Sequence, residues 1–580
     1  MIQAAKIQIA TLLGSVPTLQ TSNATALLSA SELQRVIERP KHFDHGHLAF
    51  PVFALAKGLR QAPPAISAQL ASEVNAKITA GEAPFLQSVQ AAGGFLNFTF
   101  KNFFLQELLF EEMKKTNVGF SELGKGKTVV IDYASPNVAK PMHVGHLRAA
   151  MLGQAIRNLA ASQGYKVIGL NHLGDWGSQF GRLAWAYQEW GHEYSFVGNP
   201  IDDLLKLYVR FHDEAEKNPA LEAAGAATFK RLEDGDAEIK KIWKMIIDYS
   251  MKDYDRLLKG LLNVHHDQVL GESFYNDKMA SVIEMLKQKN LLADSEGAQV
   301  VFFDEKENLP PCLIKKSDGA SIYATRDLAS AIYRHDVLKG DELLYVVGQD
   351  QNLHFRQVFK VLEMMGFDWA KNCHHISFGM YRFKDGKMST RQGKVILFED
   401  VITQAVELVD QMIEEKNPGL PDKETVAKQI AIGALIFNDL VNDRVKNIEF
   451  EWERILSMEG DSGPYVQYTG VRCKSILRKY AGEVRYAASI ELASEEERKL
   501  VYQLLQFQEI LQGAYKQYRP NILAQYLLEV CGSFSSFYHK CRILGEASEV
   551  QAGRIALVAA TDRVLTQGLA VLNIASPEAM

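Results

Sequence analysis

The sequence predicts an α/β protein. An open parallel-sheet domain fills the middle of the chain, a smaller α/β or α+β domain precedes it and a helical region follows. Three observations carry this expectation. From residue 124 to about 400, short β-branched runs alternate with helical apolar patterns and glycine-bearing turns, the cadence of strand–helix–strand units. Before residue 110, two helical patterns precede an alternating strand at 94–100. Beyond residue 400, strand-like runs give way to long stretches of helical period.

Composition narrows the classes. A chain of 580 residues is long enough for about four domains. With 47% hydrophobic and 23% charged residues it can build ample core, which excludes wholesale disorder. A formal charge of -6 excludes a uniformly basic coat for nucleic acid but leaves room for a local basic groove. Cys312, Cys373, Cys473, Cys531 and Cys541 lie far apart without a CxxC pair, so neither a zinc site nor a disulfide framework is expected. The first residues, MIQAAKIQIATLLGS, lack a long apolar core segment, and no run approaches the roughly 20 apolar residues of a membrane span. A cytoplasmic protein without membrane contact is expected.

The first domain has helical patterns at 2–13 and 29–37 and the strand at 94–100. His42, His45 and His47 form an HxxHxH cluster, but without a matching Cys or acidic signature it predicts no metal. The sheet domain opens with an apolar strand at 128–133. It is followed by Ser135-Pro136-Asn137-Val138-Ala139-Lys140-Pro141-Met142-His143-Val144-Gly145-His146 and a helix starting near Leu147, whose apolar face is Leu147, Met151, Ile156 and Leu159. Gly145 lets a nucleotide lie close to the helix start, where N–H groups and the helix dipole favour phosphate. His143 and His146, three residues apart, share one side of that turn and can donate hydrogen bonds to developing negative charge. Taken alone, these four residues equally describe a turn with one buried and one exposed histidine.

A second strand at 165–170 leads into Asn171-His172-Leu173-Gly174-Asp175-Trp176-Gly177. The glycines permit a close turn around Asp175 and Trp176, which either walls a ligand or packs Trp176 into core. Residues 185–295 interrupt the pattern with helices at 208–217, 220–233 and 237–261, a solvated surface or a contact for RNA. The sheet pattern returns at 298–303. In the run from Lys315 to Asp327, a turn at Asp318-Gly319 sets Tyr323 and Asp327 one helical turn apart. A carboxylate there can accept two parallel N–H groups from a guanidinium, which distinguishes arginine from lysine; a buried Arg326/Asp327 network is the structural alternative. A strand at 343–347 ends in Gly348-Gln349-Asp350-Gln351-Asn352-Leu353-His354, a polar cluster placed for ribose or substrate, with His354 reading as a helix-surface residue.

Phe378-Gly379-Met380 then leads to Lys384-Asp385-Gly386-Lys387-Met388-Ser389-Thr390-Arg391-Gln392-Gly393. Gly386 and Gly393 bracket a basic segment that can close over a triphosphate, with Lys387 neutralising charge and Ser389 offering a hydroxyl; a surface charge run has the same composition. Helical patterns at 401–415, 423–437 and 462–480 follow, broken at Pro418-Gly419 and at Asp461-Ser462-Gly463-Pro464. Tyr465, Tyr468, Arg472, Lys474, Arg478 and Lys479 supply stacking and phosphate contacts for RNA, or core tyrosines beside a basic face.

Taken together these motifs resemble class I aminoacyl-tRNA synthetases, and within them the arginyl-tRNA synthetases of bacterial type. The run 135–146 is similar to the family's SPNxAKPxHxGH form of the HIGH motif, 174–181 to GDWGxQFG, 318–327 to DGxxxYxTRD, and Lys387-Met388-Ser389 to KMSKS. GPYVQYTGVR and residues 554–580 are similar to the helical anticodon-binding domain. The resemblance implies a Rossmann-like catalytic domain at 122–398 with an insertion at about 185–295. Around it lie an additional tRNA-contacting domain at 1–112, a helical stem-contact region at 399–457 and an anticodon-binding domain at 458–580.

It also implies an ATP-dependent ligase that joins L-arginine to tRNA(Arg), with Mg²⁺ accompanying ATP, no structural metal, and a monomeric state. Lys140, His143, His146 and Lys387 are the implied catalytic residues. ATP would meet His143, Gly145, His146, Gly348, Asp350, Met380, Lys387, Met388 and Ser389. Arginine would meet Asn137, Asp175, Tyr323, Asp327 and Gln351, and tRNA would meet Tyr465, Arg472, Tyr538, Arg542 and Arg563. Thr390 stands where KMSKS has its second lysine, which turns Lys140, or Arg391, into the replacement cation. The rival readings are an HxGH nucleotidyltransferase acting on a small metabolite and an inactive RNA-binding relative. The long helical carboxyl-terminal region opposes the first, and the intact His143, His146, Lys387 and Asp327 oppose the second.

Overall fold

A computed structural model describes residues 2–20, 29–40, 42–316, 323–383, 396–487, 492 and 494–580. The chain forms two compact units, each combining segments distant in sequence. One contains Met1–Phe120, Val466–Gly513 and Gln525–Gly568; the other contains Ser121–Tyr465, Ala514–Ala524 and Leu569–Met580.

In the first unit, β1 (Leu48–Pro51), β2 (Leu86–Ala92) and β3 (Phe95–Phe100) form an antiparallel sheet in the order β1-β3-β2. Gly93 and Gly94 join β2 to β3 with φ of 57° and 96°, the left-handed backbone that a two-residue hairpin turn requires and that glycine adopts without a steric penalty. His47 belongs to the packing around β3: its Nδ1 accepts the Phe100 N–H at 3.0 Å, and burial lowers its pKa to about 4. Helices from the distal part of the chain, including Glu495–Leu505 and Ser548–Val571, complete this unit. The first of them begins at a capping box in which Ser494 and Glu497 satisfy each other's backbone N–H groups.

The second unit is built on a five-stranded parallel sheet. Its strands in chain order are β4 (Thr128–Asp132), β5 (Lys166–Asn171), β6 (Gln268–Val269), β10 (Glu342–Tyr345) and β11 (Cys373–His375), arranged β11-β10-β4-β5-β6. All neighbours are parallel. Strand order therefore reverses between β4 and β10, and a crevice opens beyond their carboxyl ends, the place where open α/β sheets bind ligands. Every residue of β4 is buried, as a parallel strand covered on both faces demands.

Two expectations change here. The run at 298–303 is not a return to the parallel sheet: β8 (Ala298–Val301) pairs antiparallel with β7 (Ala293–Ser295) and β9 (Cys312–Lys315) in a separate sheet. So short a run carries no information about strand direction, which explains the difference. The stretch 185–295, read as one interruption, contains β6 of the main sheet; a two-residue strand is too short to show a period. Before β6 come the helices Ser178–Trp190, Pro200–Lys217, Ala220–Glu233 and Ala237–Asp255, the last continuing into a π-helical turn at Arg256–Leu261. Beyond the sheet, β12 (Tyr381–Phe383) pairs in parallel with β13 (Ile448–Phe450), and the helices Phe398–Lys416 and Lys423–Leu440 pack together. Among the described residues no helix is long and apolar enough to cross a membrane.

Candidate active site

The loop after β4 enters the crevice under tight control. Asp132, the last residue of β4, is buried against Arg334 (2.8 Å) and accepts the Ser135 hydroxyl at 2.7 Å. Ser135 Oγ in turn accepts the His172 N–H at 2.9 Å, tying the loops after β4 and β5 together. Asn137 runs beside Gly174, with Val138 N–H on the Gly174 carbonyl and Gly174 N–H on the Pro136 carbonyl, both at 3.1 Å. A Cβ on Gly174 would lie 2.1 Å from Asn137 Oδ1, so this approach requires glycine. From the inserted helix Ala237–Asp255, the Tyr254 hydroxyl lies 2.7 Å from the Asn137 carbonyl and 2.9 Å from that of Lys140, while Ser250 Oγ accepts the Ala139 N–H. Lys140 is exposed, with its ammonium 5.7 Å from the Tyr208 ring centre.

The helix Val144–Ser162 starts three residues earlier than the apolar period suggests, because histidines cap it. His143 Nδ1 accepts the Gly145 N–H at 3.1 Å and His146 Nδ1 accepts the His143 N–H at 3.2 Å, a capping box built from two imidazoles. Burial lowers both pKa values, that of His146 to about 3 with a contribution from His143. Both rings are therefore neutral at neutral pH. Since each Nδ1 is an acceptor, the proton of each sits on Nε2, leaving two N–H donors at a helix amino terminus.

The residues that follow the basic segment in sequence return to this place. Val144 N–H donates to the Ile396 carbonyl at 3.2 Å and Phe398 N–H to the Met142 carbonyl at 3.0 Å. Upstream of that segment in sequence, Gly379 N–H donates to the Arg444 carbonyl and Met380 N–H to Asn447 Oδ1. Arg148, fully buried on the histidine-capped helix, grips the same region: it donates to the carbonyls of Lys446 and Arg444 and pairs with buried Asp439 at 3.2 Å. Lys387, Met388, Ser389, Thr390 and Arg391 fall in 384–395, outside the described residues.

An acidic cluster lies beyond β5, β6 and β10. Asp327 Oδ2 accepts His354 Nε2 at 2.6 Å. Glu272 pairs with Arg326 at 3.1 Å; burial raises its pKa to about 7, with Asp327 and Asp175 adding to the rise. Asp175 is buried and accepts the N–H and hydroxyl of Ser273 at 2.8 and 2.6 Å. Tyr323, at the start of the helix Tyr323–Asp336, is 66% exposed, so its ring is available to a ligand. At the end of β10, Gly348 bridges Phe378, and Gln351 Nε2 donates to Asp350 at 3.0 Å. Trp176 does not wall an open pocket: it packs edge-on against Phe229 and Trp243.

Two residues were missed by sequence reasoning. Glu272 follows the two-residue β6, where no period announces a strand end; its one signal is the Gly271-Glu272-Ser273 turn. His354 is the partner of Asp327 rather than a surface residue.

In the helical region, Arg472 lies between the rings of Tyr468 (4.9 Å) and Tyr538 (5.1 Å), both partly exposed. Tyr465 lies in the first turn of the helix Gly463–Tyr480. Arg542 Nε donates to the Leu544 carbonyl at 3.2 Å. Arg563 is engaged structurally: its guanidinium donates to the carbonyls of Met113, Lys115 and Thr116, closing the carboxyl end of the helix Asn102–Met113. Its geometry does not support the expected RNA contact.

Comparison with known proteins agrees with this architecture. Residues 105–452 match the family model "tRNA synthetases class I (R), catalytic domain", 466–580 the "DALR anticodon binding domain", and 18–100 the "Arginyl tRNA synthetase N terminal domain". An arginine–tRNA ligase of Clostridioides difficile is 43% identical over 95% of this chain and 97% of its own. One from Exiguobacterium sibiricum is 45% identical over the same shares. The solved arginyl-tRNA synthetase of Thermus thermophilus superposes with a TM-score of 0.83 at 26% identity, covering 100% of both chains. With a histidine-capped helix at the sheet's switch point and family models that together span most of its length, the chain belongs to the arginyl-tRNA synthetase family.

Proposed function

We propose that this protein activates L-arginine with ATP and transfers it to the terminal ribose of tRNA(Arg), and that the crevice between β4 and β10 is where both steps occur. The observation that carries the reading is the pairing of two neutral imidazole donors with an acidic cluster around the same strand ends. In the first step an arginine carboxylate oxygen attacks the α-phosphorus of ATP, the bond to the bridging oxygen breaks, and pyrophosphate leaves. In the second a ribose hydroxyl of tRNA attacks the adenylate carbonyl and AMP leaves. The substrate supplies the first nucleophile, so positioning and electrostatic stabilisation are the protein's tasks.

His143 and His146 donate their Nε2–H groups to the α-phosphate oxygens, and Lys140 and Lys387 offset the charge of the departing pyrophosphate. Gly145, Gly348, Asp350, Met380, Met388 and Ser389 line the nucleotide side. ATP enters as its Mg²⁺ complex, the ion belonging to the substrate. Asn137 and Gln351 hold the backbone end of arginine, while Tyr323, Asp327 and Glu272 read its guanidinium; Asp175, held by Ser273 and lying close against Gly271, fixes the turn that precedes Glu272. Tyr465, Arg472, Tyr538 and Arg542 contact tRNA. The chain would act as a cytoplasmic monomer, with a tRNA-contacting domain at 1–112, catalytic domain at 122–398, stem-contact region at 399–457 and anticodon-binding domain at 458–580. Charging of unfractionated tRNA with radiolabelled arginine tests the reading: acid-stable arginyl-tRNA should form only with ATP present, and its absence would refute it.

A further inference from the structure

We propose that His354 is a positioning residue that sets the Asp327 carboxylate in the plane needed to receive a guanidinium. This rests on the assignment of Asp327 as a contact for the arginine side chain. The two residues come from different elements: Asp327 is the fifth residue of the helix Tyr323–Asp336, and His354 the third of the helix Asn352–Met364. His354 Nε2 reaches Asp327 Oδ2 at 2.6 Å, with side-chain exposures of 24% and 22%. That distance is typical of a strong charge-assisted bond, sheltered but open on one side.

An aspartate needs such a partner here. Rotation about its terminal torsion is soft, so an isolated carboxylate samples many planes. A guanidinium presents its N–H groups in a fixed fork, so the plane of the acceptor decides whether two bonds or one can form. With Nε2–H committed to one lone pair of Oδ2, the plane is fixed, and Oδ1 and the second lone pair of Oδ2 are left to accept a fork of N–H groups. Asp327 lies near Glu272 and Asp175, both it and Asp175 adding to the rise in the Glu272 pKa, so its fixed plane also orients one edge of the acidic cluster. The edge contact of the His354 ring with buried Phe355, 5.4 Å between centres, holds the ring in place.

The test is a double-mutant cycle in steady-state aminoacylation by the full chain, with arginine and ATP varied separately. His354→Ala is expected to raise the arginine KM about tenfold, the value of one charge-assisted hydrogen bond, while the ATP KM and kcat stay within about twofold. His354→Gln, whose amide N–H can replace Nε2–H, should bring the arginine KM back to within about threefold of the parent. In an Asp327→Ala background, His354→Ala should add less than about twofold, because its effect passes through the missing carboxylate. Equal rises in both KM values, or a full tenfold effect without Asp327, would overturn the proposal. An unchanged arginine KM in Asp327→Ala would instead remove the underlying assignment, and the proposal with it.

Discussion

His146 Nδ1 accepts the backbone N–H of His143 at 3.2 Å, so one ring nitrogen closes the helix while the other is left as a donor. The two duties can be separated. An asparagine carbonyl can take over the cap but cannot place a donor where Nε2 lies. His146→Asn is therefore expected to keep the melting temperature near that of the parent while lowering kcat of arginine activation about 10²-fold, the usual loss of one preorganised donor. His146→Ala should lose both, with about 1 kcal/mol of helix stability gone. A melting temperature as low in the Asn variant as in the Ala variant would contradict the division of roles.

The buried histidines fix the sign of the pH dependence. Burial lowers His146 to about 3 and both His47 and His266 to about 4. In the unfolded chain imidazoles titrate near 6.5, so between these values the unfolded state binds protons that the folded state refuses. Stability from these groups is complete above about pH 6.5 and falls by about 1.4 kcal/mol per pH unit for each histidine on acidification toward their folded values. Glu272 has the opposite sign: raised to about 7, it contributes stability that is fully present below about 4.5 and lost as pH rises through 7, and so offsets about one histidine. The melting temperature should fall between pH 7 and pH 5; a flat or rising profile would contradict the neutral state of these rings.

Arg148 and Asp439 form an ion pair with side-chain exposures of 0% and 2%. Asp439 also accepts the Tyr381 hydroxyl on β12, the strand that enters the basic segment. Removing one partner leaves a buried charge uncompensated. Arg148→Met is expected to cost about 3–5 kcal/mol in chemical denaturation, and Arg148→Met with Asp439→Leu much less, since the lone carboxylate is gone. Equal loss in the single and double variants would show that the pair is not the source.

Arg472 and Arg563 should separate under substitution. Arg472→Ala breaks the stack between Tyr468 and Tyr538 and is expected to weaken tRNA binding about tenfold with little change in melting temperature. Arg563→Ala uncovers the carbonyls of Met113, Lys115 and Thr116 and should lower the melting temperature, with tRNA affinity nearly unchanged at a temperature where the fold persists. Tenfold weaker tRNA binding by folded Arg563→Ala would return Arg563 to the RNA surface.

Much of this was legible in the sequence for physical reasons. Thr128–Asp132 reads as a strand because a parallel core strand is a continuous apolar run, and Gly174 reads as part of a close turn, where the structure adds that Asn137 Oδ1 occupies the place of its Cβ. The motifs at 135–146 and 318–327 point in the sequence to the nucleotide and guanidinium sides proposed above. What failed depended on partners remote in sequence. β6 has two residues and is a strand only because β5 is beside it. Arg563 carries the charge of an RNA contact, but its role is set by carbonyls more than 400 positions away. His354 has no motif of its own and acquires meaning from Asp327, 27 positions earlier.

The central claim is that two neutral imidazoles and an acidic cluster activate arginine and distinguish it by charge and shape together. Amino-acid-dependent exchange of pyrophosphate into ATP, in the presence of a tRNA pool, tests it most directly when arginine is compared with lysine, which has the charge without the fork, and citrulline, which has nearly the shape without the charge. Exchange with arginine alone is the expected result. Exchange supported equally by citrulline, or none with arginine, would contradict the account.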